Sequence, residues 1–379
     1  MAAFDGVNGP TWSVQLYKSG AWVTVLVTDV REISLKRGRT RADQPEVAGL
    51  ATIVLENFAG IYDPDFTTAS TWVVNGSSII RDGLAGRIIA TWSTAGVSTD
   101  YVLFVGVLED AHVEAGLDPT VSLVFVDGLA QIAKVEMPRL PSFQYLNETT
   151  SARVARVLTA CGWTGATSLT GTIAMQSTAQ GLNALMMIEQ CAAAQAGLFY
   201  VSRTGVATLL PLTDKFSRPT QLLFHDDRSV NTVEYDALVT TPGTLQVVNQ
   251  AIVQRGKLRQ KVVTNTVSVN KWGLKSRTVE AFITNETQSQ NLAHYYAYKD
   301  SIPVTTVSSV QFSALALGVL FPDFLACELQ DQVVVKRDTV DGRLLDFNLV
   351  IEGMDHVITQ SDWRVTFNTS PMNPYRVTL

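Results

Sequence analysis

The sequence of 379 residues is poor in charge, since only 17% of its residues are Asp, Glu, Lys or Arg, against roughly 25% in typical soluble proteins. Surfaces buried between permanently associated subunits are depleted in Lys, Glu and Asp. The low charge content therefore favours a chain that buries large surfaces against partner chains. A monomer with an unusually apolar surface is the alternative.

Cysteine and histidine are also scarce, with three and four copies. The cysteines form no C-x-x-C pair and the histidines no H-x-x-x-H pair, which speaks against a disulfide framework and against a zinc site. We expect the cysteines to be small buried apolar residues. The most site-like cluster is His225-Asp226-Asp227, for which a solvated connector is the preferred interpretation.

Sequence patterns of catalysis are missing as well. The chain has neither the G-x-S-x-G turn of serine hydrolases nor the glycine-rich loops that bind nucleotide phosphates. Its scattered carboxylates offer no preferred acid and base pair. The sequence therefore predicts a protein that is not an enzyme, with no catalytic residue, no metal ligand and no cofactor.

Charge and hydropathy narrow the class further. The formal charge is −6, from 29 basic and 35 acidic residues, which disfavours general nucleic-acid binding. The N-terminal residues lack the basic and apolar regions of a secretory signal, and the longest apolar stretch, 314–326, is too short to span a bilayer. We therefore expect no membrane segment and folding in a cytoplasm.

One short stretch is strongly basic, because Lys36, Arg37, Arg39 and Arg41 stand together in an otherwise acidic chain. Such a cluster can contact a neighbouring subunit, or a chain or DNA that passes through a lumen. A solvated loop is the other interpretation. These four side chains are candidate assembly or lumen contacts.

Hydropathy patterns divide the chain into three blocks. From residue 11 to about 127, short runs of Val, Ile, Thr and aromatic residues alternate with polar residues, which is typical of β-strands. After Pro138 and Pro141 the apolar spacing becomes helical. A polar connector is predicted at about 218–236, and beyond it alternation resumes at 244–253 and 260–269. The predicted domains are a first β module at 1–137, a small α/β module with two helices and a hairpin at 138–217, and a second β module with one helix at 218–379.

The two β modules end in hairpins of similar composition, which predicts an internal repeat. Each hairpin has a strand that contains a glycine, a polar turn and an apolar returning strand. The positions that carry the likeness are Gly106 and Phe125 in the first hairpin and Gly353, His356, Trp363 and Phe367 in the second. Unrelated antiparallel hairpins with similar patterns are the alternative.

The order of the modules and four sequence stretches resemble the tail-hub, or baseplate-hub, family of long-tailed phages. The stretches are SLKRGRTRADQPEVAGLATIVLEN at 34–57, ARVARVLTACGW at 152–163, AGLFYVSRTG at 196–205, and IEGMDHVIT with WRVTFNTSP at 351–371. The first has a form common in minor tail proteins of siphophages. The resemblance covers nearly the whole chain.

The resemblance implies a mainly β protein with an α+β insert, in which two tube-like β-barrel or sandwich modules flank a small α/β module. It implies a homotrimeric hub that forms a pseudo-hexameric ring around the DNA channel and connects the tail tube to the tail tip of the virion, after assembly in the host cytoplasm. Two similar modules per chain would let three copies match six-fold symmetry. The implied partners are the distal tail or tail tube ring, the tape measure protein, tail-tip or fibre proteins, and genomic DNA only in transit during ejection.

Two other interpretations stay open. One is a distal tail protein that forms a hexameric ring with one tube-like module per chain. The other is a receptor- or carbohydrate-binding module of the tail tip, for which Trp72, Trp92, Trp163 and Trp272 would supply exposed aromatic faces. Core packing accounts for tryptophan more often, so the trimeric hub is the preferred hypothesis.

Overall fold

The fold is described from a computed structural model, which describes residues 11–94, 97–137, 148–177, 183–226, 231–241, 247–256, 258–338 and 344–372. Within these ranges the chain is mainly β, which confirms the fold class predicted from the sequence. Among the helices in these ranges, none has the length and apolar character needed to cross a membrane.

The first block consists of strands whose side chains alternate between core and surface. In β1 (Thr11–Lys18), Trp12, Val14 and Leu16 are buried, as the alternation predicts. The turn after β1 has left-handed backbone at Ser19 and Gly20, which suits a tight hairpin. The other strands of this block are β2 (Ala21–Thr24), β3 (Val30–Gly38), β4 (Leu50–Glu56), β5 (Val73–Val74), β6 (Ser77–Ser78), β7 (Ala85–Thr94), β8 (Val97–Glu114) and β9 (Thr120–Val126).

The middle region combines helices with short strands, and its two longer helices begin at capping side chains. Thr149 accepts a hydrogen bond from Ala152 N–H at 3.2 Å, and Asn183 accepts one from Leu185 N–H at 2.9 Å, so each satisfies an otherwise unpaired donor of the first turn. The elements of this region are α1 (Gly128–Ala133), β10 (Glu148–Thr149), α2 (Thr150–Ala160), β11 (Thr167–Leu169), β12 (Ala174–Met175), α3 (Ala184–Ala194), β13 (Leu198–Val201) and β14 (Ala207–Leu210).

The last block returns to β structure around a small α/β unit. Its elements are β15 (Thr220–Phe224), β16 (Ala237–Thr241), β17 (Gln250–Arg255), β18 (Leu258–Thr264), α4 (Thr266–Trp272), β19 (Ser276–Glu280), α5 (Glu286–Lys299), β20 (Thr306–Ser313), α6 (Phe321–Ala326), β21 (Gln332–Asp338), β22 (Leu344–Thr359) and β23 (Trp363–Pro371).

Two sequence predictions for the last block are wrong. The alternating run 260–269 is a strand only to Thr264, because Asn265 caps a helix by accepting a hydrogen bond from Ser268 N–H at 3.2 Å. The block therefore contains α4 and α6 besides the one predicted helix, α5. The polar connector predicted from 218 to 236 contains β15, whose Leu222 and Phe224 are buried.

Thirteen strands of the described ranges form one sheet that runs through both β blocks. The order along the sheet is β16-β20-β23-β22-β3-β4-β9-β8-β7-β1-β2, with β21 joined to the first half of β22 and β15 joined to β21. The contact between blocks is the antiparallel pair β3 and β22, from Gly38 opposite Gly353 to Glu32 opposite Thr359. Main-chain hydrogen bonds thus join the two modules directly.

Two apolar cores lie on this frame. The first is continuous through both β blocks and contains Trp363, Phe367 and Phe125. The second joins helices of the middle region to β17, β19 and α5, with Cys191 and Tyr295 among its members. The predicted boundaries at 137 and 217 stay a prediction, but packing groups much of 251–297 with the middle region.

A glycine at the contact between blocks gives a test of this frame. Gly38 has a φ of +79°, and a Cβ atom there would overlap the Glu352 carbonyl oxygen and lie 2.8 Å from Cα of Gly353. We expect Gly38→Ala to lower the free energy of unfolding by about 2–4 kcal/mol, because it adds a clash to left-handed strain.

The matched control is Gly20→Ala, at φ +90° in an open turn. It carries the strain without the clash and should cost only about 1 kcal/mol. Urea unfolding of both variants measures the difference. Equal losses would show that β3 and β22 do not approach closely at Gly38.

Candidate assembly interface

The two β modules have the same strand topology. In the first, the chain order β3, β4, β7, β8, β9 forms the sheet order β7-β8-β9-β4-β3; in the second, the chain order β16, β20, β21, β22, β23 forms β21-β22-β23-β20-β16. All four pairs are antiparallel in both modules. The modules differ at the next strand, because β1 pairs with β7 in antiparallel fashion and β15 with β21 in parallel fashion.

Backbone details repeat along with the topology. The register of β8 with β9 shifts at Glu109, and that of β22 with β23 shifts at Glu352. Each bulge follows a residue with two main-chain hydrogen bonds to the preceding loop. Leu108 bonds to Gly83 and Leu84 at 2.8 Å, whereas Ile351 bonds to Gln330 and Asp331 at 2.8 and 2.9 Å.

The loop residue that begins this contact has left-handed backbone in both modules, with φ +85° at Gly83 and +70° at Gln330. Left-handed backbone is uncommon for a residue other than glycine, so its recurrence at Gln330 is hard to explain by chance. The bulge, the paired hydrogen bonds and the left-handed residue together indicate two copies of one structural unit.

Counting from the two bulges corrects the residue pairing predicted from sequence. Gly106 lies three residues before Glu109 and therefore corresponds to Leu349, whereas Gly353 corresponds to Asp110. The returning strands are offset as well, since the counterpart of Phe367 is Leu123. Both of these are buried. The two hairpins correspond, but the comparison of their residues alone aligned them in the wrong register, because the bulges have no sequence signature.

Two ion pairs lie at the contact between the modules, which we call the junction and define as β3 with residues 353–359 of β22. Arg37 Nη2 lies 2.7 Å from Glu328 Oε1 and donates to the Val201 carbonyl at 3.3 Å. Arg39 Nη2 lies 2.7 Å from Glu352 Oε2. All four charged side chains are at least four-fifths buried, so each pair compensates charges that could not be buried singly.

Glu352 illustrates this compensation. Burial alone would raise its pKa, but the charge of Arg39 and hydrogen bonds from Ser370 and Arg39 hold the pKa of Glu352 below its ordinary value. The Ser370 hydroxyl donates to Oε1 at 2.5 Å, and Gln330 Nε2 donates to Oε2 at 3.2 Å. The bulge residue of the second module is thus a buried, charged and hydrogen-bonded group next to the Gly353 end of the junction.

A cleft of about 640 Å³ opens beside the junction and is lined in part by Arg39, Glu46, Lys215 and Tyr295. Burial raises the pKa of Glu46 to about 8, although Arg39, 4.0 Å away, opposes the shift. Burial, with the charge of Lys299, lowers the pKa of Lys215 to about 8. Glu46 is therefore largely protonated and neutral near neutral pH, whereas Lys215 stays mostly charged.

The four basic residues predicted as contacts divide into two pairs. Arg37 and Arg39 are turned into the chain by the junction ion pairs, which corrects the expectation of one exposed basic patch. Lys36 and Arg41 are exposed, and Arg41 pairs with Asp43 at 2.7 Å. For these two, a contact with a neighbour or a lumen stays a prediction.

His356 and Trp363 belong to the core of the junction. Trp363 Nε1 donates to His356 Nδ1 at 3.3 Å, and the His356 ring is 8% exposed. Burial, followed by the charges of Arg37 and Arg203, lowers the pKa of His356 to about 3. The imidazole is therefore neutral in the folded chain at neutral pH and accepts the tryptophan hydrogen bond.

Other residues considered from sequence lie apart from the junction. His225 Nδ1 lies 3.4 Å from Asp226 Oδ1, and Asp338 completes a group within 4.8 Å; Asp227 lies outside the described residues. The Asp226 carboxylate already accepts from the Asp338 backbone N–H at 3.2 Å. This hydrogen bond gives the cluster a structural role.

The four tryptophans are mostly engaged in packing. Trp72 is 2% exposed, Trp92 packs on Phe321 with ring centroids 5.3 Å apart, and Trp163 is partly buried. Trp272 is the most exposed, at 37%. Trp272 therefore keeps the most exposed ring of the four, and the receptor- or carbohydrate-binding alternative stays a prediction.

Solved structures with a similar fold include phage tail proteins. The tail protein from Neisseria meningitidis MC58 has a TM-score of 0.65 at 11% identity, over 96% of this chain and 97% of that one. The 43 kDa tail protein of prophage MuSo2 from Shewanella oneidensis gives 0.61 at 12%, over 97% and 100%, and prophage tail protein gp18 from Listeria monocytogenes EGD-e gives 0.50 at 10%, over 95% of each chain. No protein-family model and no curated protein matches the sequence. The chain has the fold of phage tail proteins, so the resemblance seen in the sequence is confirmed at the level of fold.

The buried histidine makes stability depend on pH. With a pKa of about 3 when folded and an ordinary value near 6.5 when unfolded, His356 takes up a proton on unfolding at any pH between these values. Its contribution to stability is complete above about pH 6.5 and is lost as pH falls toward 3, at roughly 1.4 kcal/mol per pH unit.

We therefore expect the native chain to lose up to about 2 kcal/mol more than His356→Gln between pH 7 and pH 5. Glutamine keeps an acceptor for Trp363 but does not titrate. Urea unfolding at the two pH values measures this difference, with the exposed His112→Gln as control. Equal pH dependence of the native chain and His356→Gln would contradict a buried, neutral histidine.

Proposed function

We propose that this chain is a structural component of a phage tail, a trimeric hub that connects the tail tube to the tail tip and surrounds the DNA channel. The observation that carries the proposal is the duplicated β module. Three chains with two equivalent modules present six similar units, and so can dock on a ring with six-fold symmetry. The fold shared with phage tail proteins supports the same assignment.

The proposed action is mechanical and involves no turnover of substrate. One face of the ring would dock on the distal tail or tail tube ring, and the other would hold tip or fibre proteins. The tape measure protein and then genomic DNA would pass through the channel. Lys36 and Arg41, the exposed members of the basic stretch, are the candidate contacts to these partners.

A hexameric distal tail protein is the closest alternative. That assembly needs one tube-like module per chain, whereas this chain has two with the same topology. Six copies would present twelve modules and would not match a six-fold tube one to one. The duplicated topology therefore favours three copies over six.

The number of chains per particle tests the proposal. We expect the purified full-length chain to have three times the monomer mass by native mass spectrometry and light scattering, and to form rings in negative-stain images. A mass of six chains would support the distal tail alternative. A chain that remains monomeric at high concentration would contradict both.

A further inference from the structure

The segment of β22 that forms the junction has an equivalent segment in β8 of the first module. That equivalent segment lacks a partner strand in the place that β3 takes beside β22. In the second module, residues 353–359 of β22 lie between β23 and β3. The corresponding residues of the first module, 110–114 of β8, pair with β9 on one side. On the other side, no strand of the described residues pairs with them, because the first residue of β7, Ala85, lies opposite Val107.

Exposure of equivalent side chains marks the missing strand. Counted from the bulges at Glu109 and Glu352, Val113 corresponds to His356. His356 is 8% exposed and Val113 is 46% exposed. Thus the same position of the repeat is covered in one module and open, with an apolar side chain, in the other.

The complementary open edge belongs to β16. In the repeat β16 corresponds to β3, since β3 pairs with β4 as β16 pairs with β20. β3 has a second partner in β22, whereas β16 is the last strand at its end of the sheet within the described residues. Its Val239 is 52% exposed, and this strand carries no charged side chain.

We propose that residues 110–114 of β8 pair with β16 of a second copy of the chain, and so repeat the junction between subunits. This inference rests on the proposed function, because it specifies how the hub's chains join. Within the chain, His356 lies opposite Leu35. Val113 corresponds to His356 and Thr240 corresponds to Leu35, so the proposed register places Val113 opposite Thr240. In the same way, the intrachain pair of Val357 with Ser34 predicts that Glu114 lies opposite Val239.

The acidic residues beside the β8 edge do not prevent this pairing. Glu109 forms an ion pair with Lys134, and Asp110 Oδ2 lies 3.2 Å from His112 Nε2. The Lys134 ion pair lowers the negative charge that an incoming strand would meet at Glu109. Charged residues also protect free edges from uncontrolled pairing. The β8 edge would therefore accept β16 of a second copy but disfavour unrelated strands.

The contact is directional. Each chain offers one β8 edge and one β16 edge, and these are different surfaces, so copies join head to tail. The unpaired main-chain groups of both edges would then be satisfied. A closed ring of such contacts leaves neither edge exposed.

Paired cysteines test the contact and its register. We expect Val113→Cys with Thr240→Cys, made in a Cys161→Ala background and oxidised at neutral pH, to give dimers and trimers on a nonreducing denaturing gel. Opposite residues in antiparallel strands are about 4.5–5.5 Å apart at Cα, which suits a disulfide. The matched control, Val113→Cys with Ala21→Cys on the end strand β2, should remain monomeric on the gel.

Mass measurements under native conditions distinguish a failure of the proposed β8–β16 contact from a failure of the proposed trimeric hub. A trimer whose paired cysteines do not cross-link would overturn this contact and leave the trimeric hub intact. A monomer that does not cross-link would overturn both. Cross-linking by Val113→Cys alone would show β8 edges meeting each other, and would overturn the head-to-tail arrangement.

Discussion

The antiparallel pairing of β3 with the second half of β22 is the contact on which the rest of the molecule depends. It brings strands about 300 residues apart into one sheet and makes a single apolar core continuous through both β modules. Two glycines, Gly38 and Gly353, permit the close backbone approach at its end. The ion pairs of Arg37 and Arg39 then neutralise charges that lie between the modules. The two modules are thereby held in one defined arrangement.

Because the two modules repeat, the strand pairing that joins them within a chain could also join two chains, as proposed for β8 and β16. Topology, bulge position and the hydrogen bonds of Leu108 and Ile351 recur in both modules, while their loops have diverged. Between β3 and β4 the first module has a short loop, whereas the second inserts its α/β unit between the equivalent β16 and β20. That unit packs on the middle region. Divergence thus lies in the loops, and the paired strands preserve a common edge geometry.

Local features of this fold could be read from sequence, and long-range ones could not. Alternation predicted β1, because Trp12, Val14 and Leu16 share one face, and helical spacing predicted α2. The helix α4 was missed because its start depends on the side chain of Asn265, a single capping residue. The burial of Arg37 was missed because its partner, Glu328, lies 291 residues away. The bulges that set the repeat in register are backbone geometry without a residue signature.

An image reconstruction of the assembled protein, at a resolution that separates β-strands, would show directly whether the contact between chains repeats the contact between modules. We expect a closed ring of three chains with six similar β modules, in which the sheet continues from β8 of one chain into β16 of the next. The boundary between chains would then have the same appearance as the boundary between modules within a chain. A ring in which the β8 and β16 edges face solvent, or in which the two kinds of boundary differ, would contradict this expectation.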